Sequence, residues 1–277
     1  MIVACQLSGA VSLESLLKRD RAIVLLSLIA MVGLAWTYLL IGMGIFMPAS
    51  NVHGLPSTAA AMTAMEPIAW TTGYAALMLV MWWLMMVAMM LPSATPMILL
   101  FAAISRKRTL QNVPEISTAG FVVGYLTVWG GFSVVAVAAQ WVLDRVVLLS
   151  SGMMITSMAL GGALLISAGI WQLTPWKDAC LRKCRSPLHF ILEHWRNGAG
   201  GAWRMGIAHG AYCLGCCWVL MLLLFYGGVM NVYWIAGLAI YVLIEKTAKV
   251  GHWIGRFTGV ALIAWGAAIL MGLASQA

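Results

Sequence analysis

A chain of 277 residues that is 63% hydrophobic and only 9% charged is far from the roughly 45–50% apolar and 25% charged make-up of a water-soluble domain, which excludes a soluble enzyme or binding module. A formal charge of +8 would suggest a nucleic-acid partner in a soluble protein. Here the Lys and Arg residues fall in a few short connections between long apolar runs, an arrangement that orients a chain in a membrane, so the lipid bilayer is the expected partner and nucleic acid is not.

Several runs lack charges for about 20 residues, enough for a helix to cross roughly 30 Å of hydrocarbon at 1.5 Å per residue. They are continuously apolar, not alternating, which argues against spanning strands. Residues 1–20 end in Lys18 and Arg19, with Arg21 next, and these charges should stay inside. No basic region followed by a small-residue cleavage site marks a removable signal, so a first helix over 22–47 is expected to be retained. Residues 48–70 contain no Lys or Arg and read as an outer loop. Met43, Met47, His53, Met62 and Met65 form a candidate collection point there for a soft cation, against a default of ordinary loop and interface residues.

The second helix is expected over 71–101, with M-W-W-L-M-M-V-A-M-M-L-P-S-A-T-P in its middle. Met78, Met81, Met85 and Met89 lie close to one face, and Met86 and Met90 form a neighbouring line. Met85, Met86, Met89 and Met90 are a candidate ion path, although an isolated Met stripe usually serves packing. Pro92 and Pro96 predict a bend and hence a cavity wall. After Arg106, Lys107 and Arg108, helix three is expected over 116–143 and helix four over 153–173, both with glycines that allow close helix contact, among them Gly124, Gly162 and Gly169. Residues 174–204 carry the densest basic run, with Lys177, Arg182, Lys183, Arg185, Arg196 and Arg204, and read as a cytoplasmic amphipathic connection along the membrane surface, interrupted at Pro187. Helix five follows over 205–229, helix six over 232–248 and helix seven over 257–273. The expected fold class is an all-α polytopic transmembrane bundle of about seven spanning helices. It forms one integral membrane domain over 1–277, with the amino terminus inside and the carboxyl terminus outside.

The candidate chemistry lies in H-G-A-Y-C-L-G-C-C-W-V-L-M at 209–221. In a helix His209, Cys213 and Cys217 fall at i, i+4 and i+8, with Cys216 one position off that line. Thiolate and imidazole are the ligand set that suits Cu(I), Zn or Fe. One helix rarely completes such a shell, and Cys180 and Cys184, also four apart, are expected to fold back against it. Lys177, Arg182, Lys183 and Arg185 are then expected to favour the thiolate forms. The bland reading is that each Cys is a small buried hydrophobe. Glu245, a carboxylate near the end of a membrane helix, is a further candidate on the ion path or a proton coupler, with a pairing to Lys249 as the structural reading.

W-W-L-M-M-V-A-M-M-L-P-S-A-T-P at 82–96, W-Q-L-T-P-W-K-D-A-C-L-R-K-C-R-S-P at 171–187, the 209–221 motif, G-G-V-M-N at 227–231 and E-K at 245–246 together resemble a bacterial membrane family labelled domain of unknown function 2182, whose members are described as metal-binding integral membrane proteins. Trp171 stands where many relatives carry Tyr. The resemblance implies a polytopic protein with a metal site at the Cys motifs and no established reaction. The expected function is binding of a soft metal, Cu(I), through Cys213, Cys216, Cys217, His209, Cys180 and Cys184 in the bacterial inner membrane, for transport, delivery or metallation of a partner. That partner would be a metallochaperone or another membrane subunit. A membrane thiol oxidoreductase and a non-catalytic scaffold subunit are the alternatives. No nucleotide-binding loop is present in the sequence, so a self-contained ATP-driven pump is not expected.

Overall fold

Each apolar run closes its backbone hydrogen bonds within itself, the condition for leaving water, and polar residues at its start set where the helix begins. The computed structural model describes residues 19, 21–41, 70–109, 117–150 and 152–272; the candidate outer Met and His residues and Cys5 lie outside them. The helices are α1 (Arg21–Ile41), α2 (Thr72–Thr109), α3 (Thr118–Arg145), α4 (Met158–Leu173), α5 (Pro175–Arg185), α6 (Pro187–His194), α7 (Ala199–Leu222), the single turn α8 (Leu224–Gly227), α9 (Val232–Thr247) and α10 (Gly251–Leu270). Side chains of Ser117, Ser157, Thr174 and Asn231 accept the first free backbone N–H groups of α3, α4, α5 and α9, each satisfying one orphan donor. Pro175 and Pro187 open α5 and α6, where the missing N–H does no harm.

The all-helical expectation holds. Five helices are long and apolar enough to cross a membrane, or six if α4 and α5, bent by 64° at Thr174, make one broken span. The expected count of about seven included the sixth helix, which is α9. With 16 residues it reaches only about 24 Å at 1.5 Å per residue. Helix boundaries also move. Pro92 and Pro96 sit inside one continuous α2, where Ser93 Oγ and the Tyr125 hydroxyl donate to the Met90 carbonyl at 2.8 and 3.1 Å and Thr95 Oγ1 donates to Leu91 O at 3.1 Å. Helix α7 starts at Ala199, not 205, so Cys213 lies about 21 Å along it, deeper than its sequence position suggested.

Apolar side chains cover much of the outside: Ile23, Leu26 and Leu34 of α1, Val134 and Val135 of α3, and Phe257, Val260 and Trp265 of α10 are all exposed. Water would not tolerate so much contiguous apolar surface, whereas lipid does. Inside, α7 packs on α3 and α5, α2 on α3 and α9, and α4 on α10. The α4–α10 pair meets backbone to backbone. A β-carbon on Gly169 would come within 2.5 Å of the Gly259 carbonyl, and one on Gly266 within 2.7 Å of the Gly162 carbonyl. Gly124 and Gly206 do the same for α3 and α7, facing the carbonyls of Trp203 and Phe121. These contacts replace the hydrophobic effect, which does not drive helices together in lipid.

Segment 174–204 is not one surface strip. Leu181, Phe190 and Ile191 are buried while Trp176, Leu188 and Leu192 are exposed, so α5 and α6 each turn one side into the bundle. Lys183 donates to Glu193 across them, and this contact holds the Glu193 carboxyl below its ordinary range. A depressed carboxyl tightens the α5–α6 tie at neutral pH and releases it as pH falls through that titration.

Gly169→Val is expected to lower the melting temperature of the detergent-purified protein, an overpacking loss of about 1–3 kcal/mol. Gly131→Ala, where an added β-carbon meets nothing within 4 Å, should be neutral or stabilising by up to about 1 kcal/mol. Equal effects of the two would contradict the glycine-contact account.

Candidate metal centre

Five buried or partly buried thiols gather where α5 lies against α7. Cys213, Cys216 and Cys217 are buried on α7, and Cys180 and Cys184 are partly buried on α5; all five are free thiols. The Cys184 thiol lies close enough to interact with both Cys213 and Cys216. Cys180 lies beside them, its sulfur where a β-carbon on Gly215 would come within 2.8 Å. Gly215 therefore makes the room in which α5 can approach. The structure thus brings the two sequence-distant cysteine groups, Cys180 with Cys184 and Cys213 with Cys216 and Cys217, side by side.

Within α7 the sulfurs are held by the helix itself. Cys216 Sγ and Cys217 Sγ each donate to the Cys213 carbonyl at 3.0 Å. Cys217 Sγ then lies 3.9 Å from Met90 Sδ, which joins the α2 methionines to the thiols. Met89 next to it, and Met86 and Met85 about one turn earlier on α2, are buried in the core. At the far end of that line, the Gln140 amide donates to the thioethers of Met78 and Met153 at 3.5 and 3.2 Å.

His209 is 3% exposed and lies among aromatic rings, stacked on Tyr125 at 5.8 Å and edge-on to Phe190 at 5.3 Å. Its Nδ1 is buried without a hydrogen-bond partner. A buried polar atom is normally satisfied, so a nitrogen left with nothing to bond, one turn from Cys213, fits a soft cation. Sulfur and imidazole are the donor types that suit such an ion. Among the described residues, no group of three or more His, Cys, Asp or Glu is already arranged to enclose a metal ion. The donors are gathered but do not form a closed shell.

Two residues of the centre escaped the reading of the sequence. Lys246 of α9 is 6% exposed and donates to Cys213 Sγ at 3.0 Å and to Ser93 Oγ at 3.3 Å. Tyr125 of α3 places its hydroxyl 3.0 Å from the same sulfur. Three of the four cations expected beside the thiols are engaged elsewhere: Lys177 with Gln172 and Glu245, Lys183 with Glu193, and Arg185 with the backbone carbonyls of Ala248 and Lys249. A lysine inside an apolar helix was the available signal, because a buried ammonium needs a partner.

Glu245 is fully buried and bonds Lys177 and, through one oxygen, the Tyr241 hydroxyl at 3.3 Å. The expected pairing with Lys249 is not the one found; Lys249 is exposed, and burial of Glu245 selects the cation that is buried with it. Gln172 completes this second polar group, donating to Tyr241 at 2.7 Å. Trp171, the residue that departs from the resembled pattern, packs edge-on against Trp218 of α7 at 5.4 Å.

These features define a polytopic helical membrane protein with a buried pocket of soft donors. Over residues 79–269 the chain matches the model of the family PpoB2, copper chaperone, and it belongs to that family. The family name found is PpoB2, whereas the motif resemblance carried the label domain of unknown function 2182. Neither a curated protein nor a solved structure matches the chain.

Gly215→Val, which adds no charge and removes no donor, is expected to push Cys180 and α5 away from α7. Labelling of Cys184 by a thiol reagent in the detergent-purified protein should accelerate by about tenfold, since opening of the contact exposes it. Unchanged labelling would mean that the α5–α7 contact does not depend on the missing side chain.

Proposed function

We propose that the chain holds Cu(I) as cargo between thiolates of the Cys184, Cys213 and Cys216 group and hands it to a partner protein. The observation that carries this reading is the meeting of α5 and α7 sulfurs in one buried pocket of a copper chaperone family member. Cu(I) is soft and takes thiolate and thioether donors. A low coordination number suits donors that are gathered without being closed into a shell. Cys213 and Cys216 are the core ligands in this reading, and Cys184 and Cys217 exchange with them. Met90 with Met89, Met86 and Met85 continues the path, and His209 and Cys180 flank it.

Charge supports the same ion. Two thiolates around one Cu(I) leave one net negative charge, and the ammonium of Lys246 beside Cys213 cancels it. An uncompensated charge is costly in an apolar interior. A divalent ion between the same two thiolates would leave the ammonium unbalanced and would need a further thiolate. Glu245 stands apart from the thiols in this reading, its Oε1 engaged by Lys177 and Tyr241 and its Oε2 buried without a hydrogen-bond partner.

The basic connections support a place in the bacterial inner membrane with 174–204 on the cytoplasmic side. Copper would then be exchanged with a soluble metallochaperone or a second membrane subunit. A second reading, a membrane thiol oxidoreductase, draws on the same closeness of Cys184 to Cys213 and Cys216. Thiol trapping across a range of redox poises separates the two, since only the oxidoreductase needs a reversible dithiol–disulfide cycle.

Competition against a chromophoric Cu(I) chelator under anaerobic, reducing conditions is the direct test. The wild-type protein should bind copper stoichiometrically. Cys213→Ser with Cys216→Ser should lose about 1,000-fold or more in affinity. Lys246→Met, which removes no ligand, should weaken binding about 10–100-fold, the range of groups that support a metal's ligands. The proposal fails if wild-type protein takes up no copper, or if the double variant competes as well as wild type.

A further inference from the structure

The soft-donor line on α7 is longer than its cysteines. Met205, His209, Cys213, Cys217 and Met221 are five residues at successive i+4 positions, and all are buried. Consecutive rungs rise about 6 Å along the axis, close enough for a small cation to pass between neighbouring donors. One end of the line opens outward. Where α6 gives way to α7, a cavity of about 340 Å³ is lined by His194, Arg196, Arg204, Met205 and Ala208.

We infer that this cavity is the mouth through which copper is loaded, and that it takes Cu(I) as an anionic thiolate complex. The inference rests on the copper reading above and adds the route and the chemical form of the cargo. Met205 offers a thioether on the first rung; its sulfur accepts the Arg196 backbone N–H at 3.4 Å and keeps a second lone pair. His194 offers an imidazole. With its Nδ1 donating to the Phe190 carbonyl at 3.2 Å, Nε2 carries the lone pair, the way a metal-binding imidazole is usually held. One rung inward is His209, with the unpartnered buried Nδ1, and one rung further is Cys213. Phe190 connects these stations, stacked on His194 at 4.6 Å and edge-on to His209 at 5.3 Å.

The charge at the mouth determines the carrier. Arg196 and Arg204 are both exposed on the cavity, and the nearby carboxylate, Glu193, is taken by Lys183. Such a rim repels a bare cation and attracts an anion. Cu(I) bound by two small thiolates is an anion. At the mouth one Cu–S bond to the carrier breaks as one bond to Met205 sulfur or His194 nitrogen forms. The displaced thiolate leaves with its electron pair into solvent, and copper stays Cu(I) throughout.

Loading of the full chain in detergent can be followed by the growth of thiolate-to-copper absorbance after mixing with Cu(I)–glutathione. Met205→Leu is expected to load about tenfold more slowly while reaching wild-type stoichiometry and affinity, because the cysteines are intact. Arg196→Gln with Arg204→Gln should slow loading from Cu(I)–glutathione and leave loading from the tetrakis(acetonitrile)copper(I) cation unchanged or faster. Wild-type rates in Met205→Leu overturn the route, and so does a loss of affinity as large as the loss of rate, which would make Met205 a resident ligand. Equal slowing of both copper sources by the arginine double variant, or of neither, overturns the anionic carrier. Wild-type protein that takes up no copper from either source would instead overturn the copper reading beneath it.

Discussion

Two lysine ammonium groups buried among apolar helices are the constraint on which the rest of the structure turns. An ammonium taken out of water is tolerated only when a partner and hydrogen bonds replace its hydration. Lys177 finds Glu245 and Gln172, which fixes the start of α5 against α4 and α9. Lys246 finds Cys213 and Ser93, which fixes α9 against α7 and α2. With α9 held at both points, α5 is held as well, and its Cys184 has no freedom to leave Cys213 and Cys216. The pocket is therefore the consequence of charge satisfaction on helices that carry few of its sulfurs.

Much of this was legible before the structure. Apolar runs gave the helical class because hydropathy acts locally, and the i+4 spacing of His209, Cys213 and Cys217 gave one face because helix geometry is fixed. Gly169 and Gly124 were recognisable as contact points for the same reason. Other features depend on which helix lies next to which. Lys177 looked like one more member of a solvated basic run, and only packing of α5 on α9 shows it buried with Glu245. Lys246 was visible as the second letter of an E-K pair, yet its target, a cysteine 33 positions away, follows from tertiary contact alone. Tyr125 carried no signal at all in a helix rich in aromatics. Boundaries slipped where charged or glycine-rich residues continue a helix, as at Ala199 and Gly251.

A centre whose donors are gathered but not closed is consistent with what a chaperone must do. A tetrahedral thiolate shell holds its ion tightly, and release then requires breaking several bonds at once. On the proposed reading, donors spaced along α7 and joined to α2 at Met90 would let one bond form before another breaks, so that no step leaves the ion bare in the apolar interior. The same spacing explains the mixture of donor types. On that reading, thiolates at Cys213 and Cys216 would hold most strongly, next to the Lys246 ammonium that would balance their charge. Thioethers and imidazole, which are neutral donors, occupy the positions further along the line, where no buried cation stands to offset an anion. If copper is the cargo, binding strength would be graded by charge compensation as much as by ligand identity, and the position of Lys246 relative to the sulfur line would set where it comes to rest.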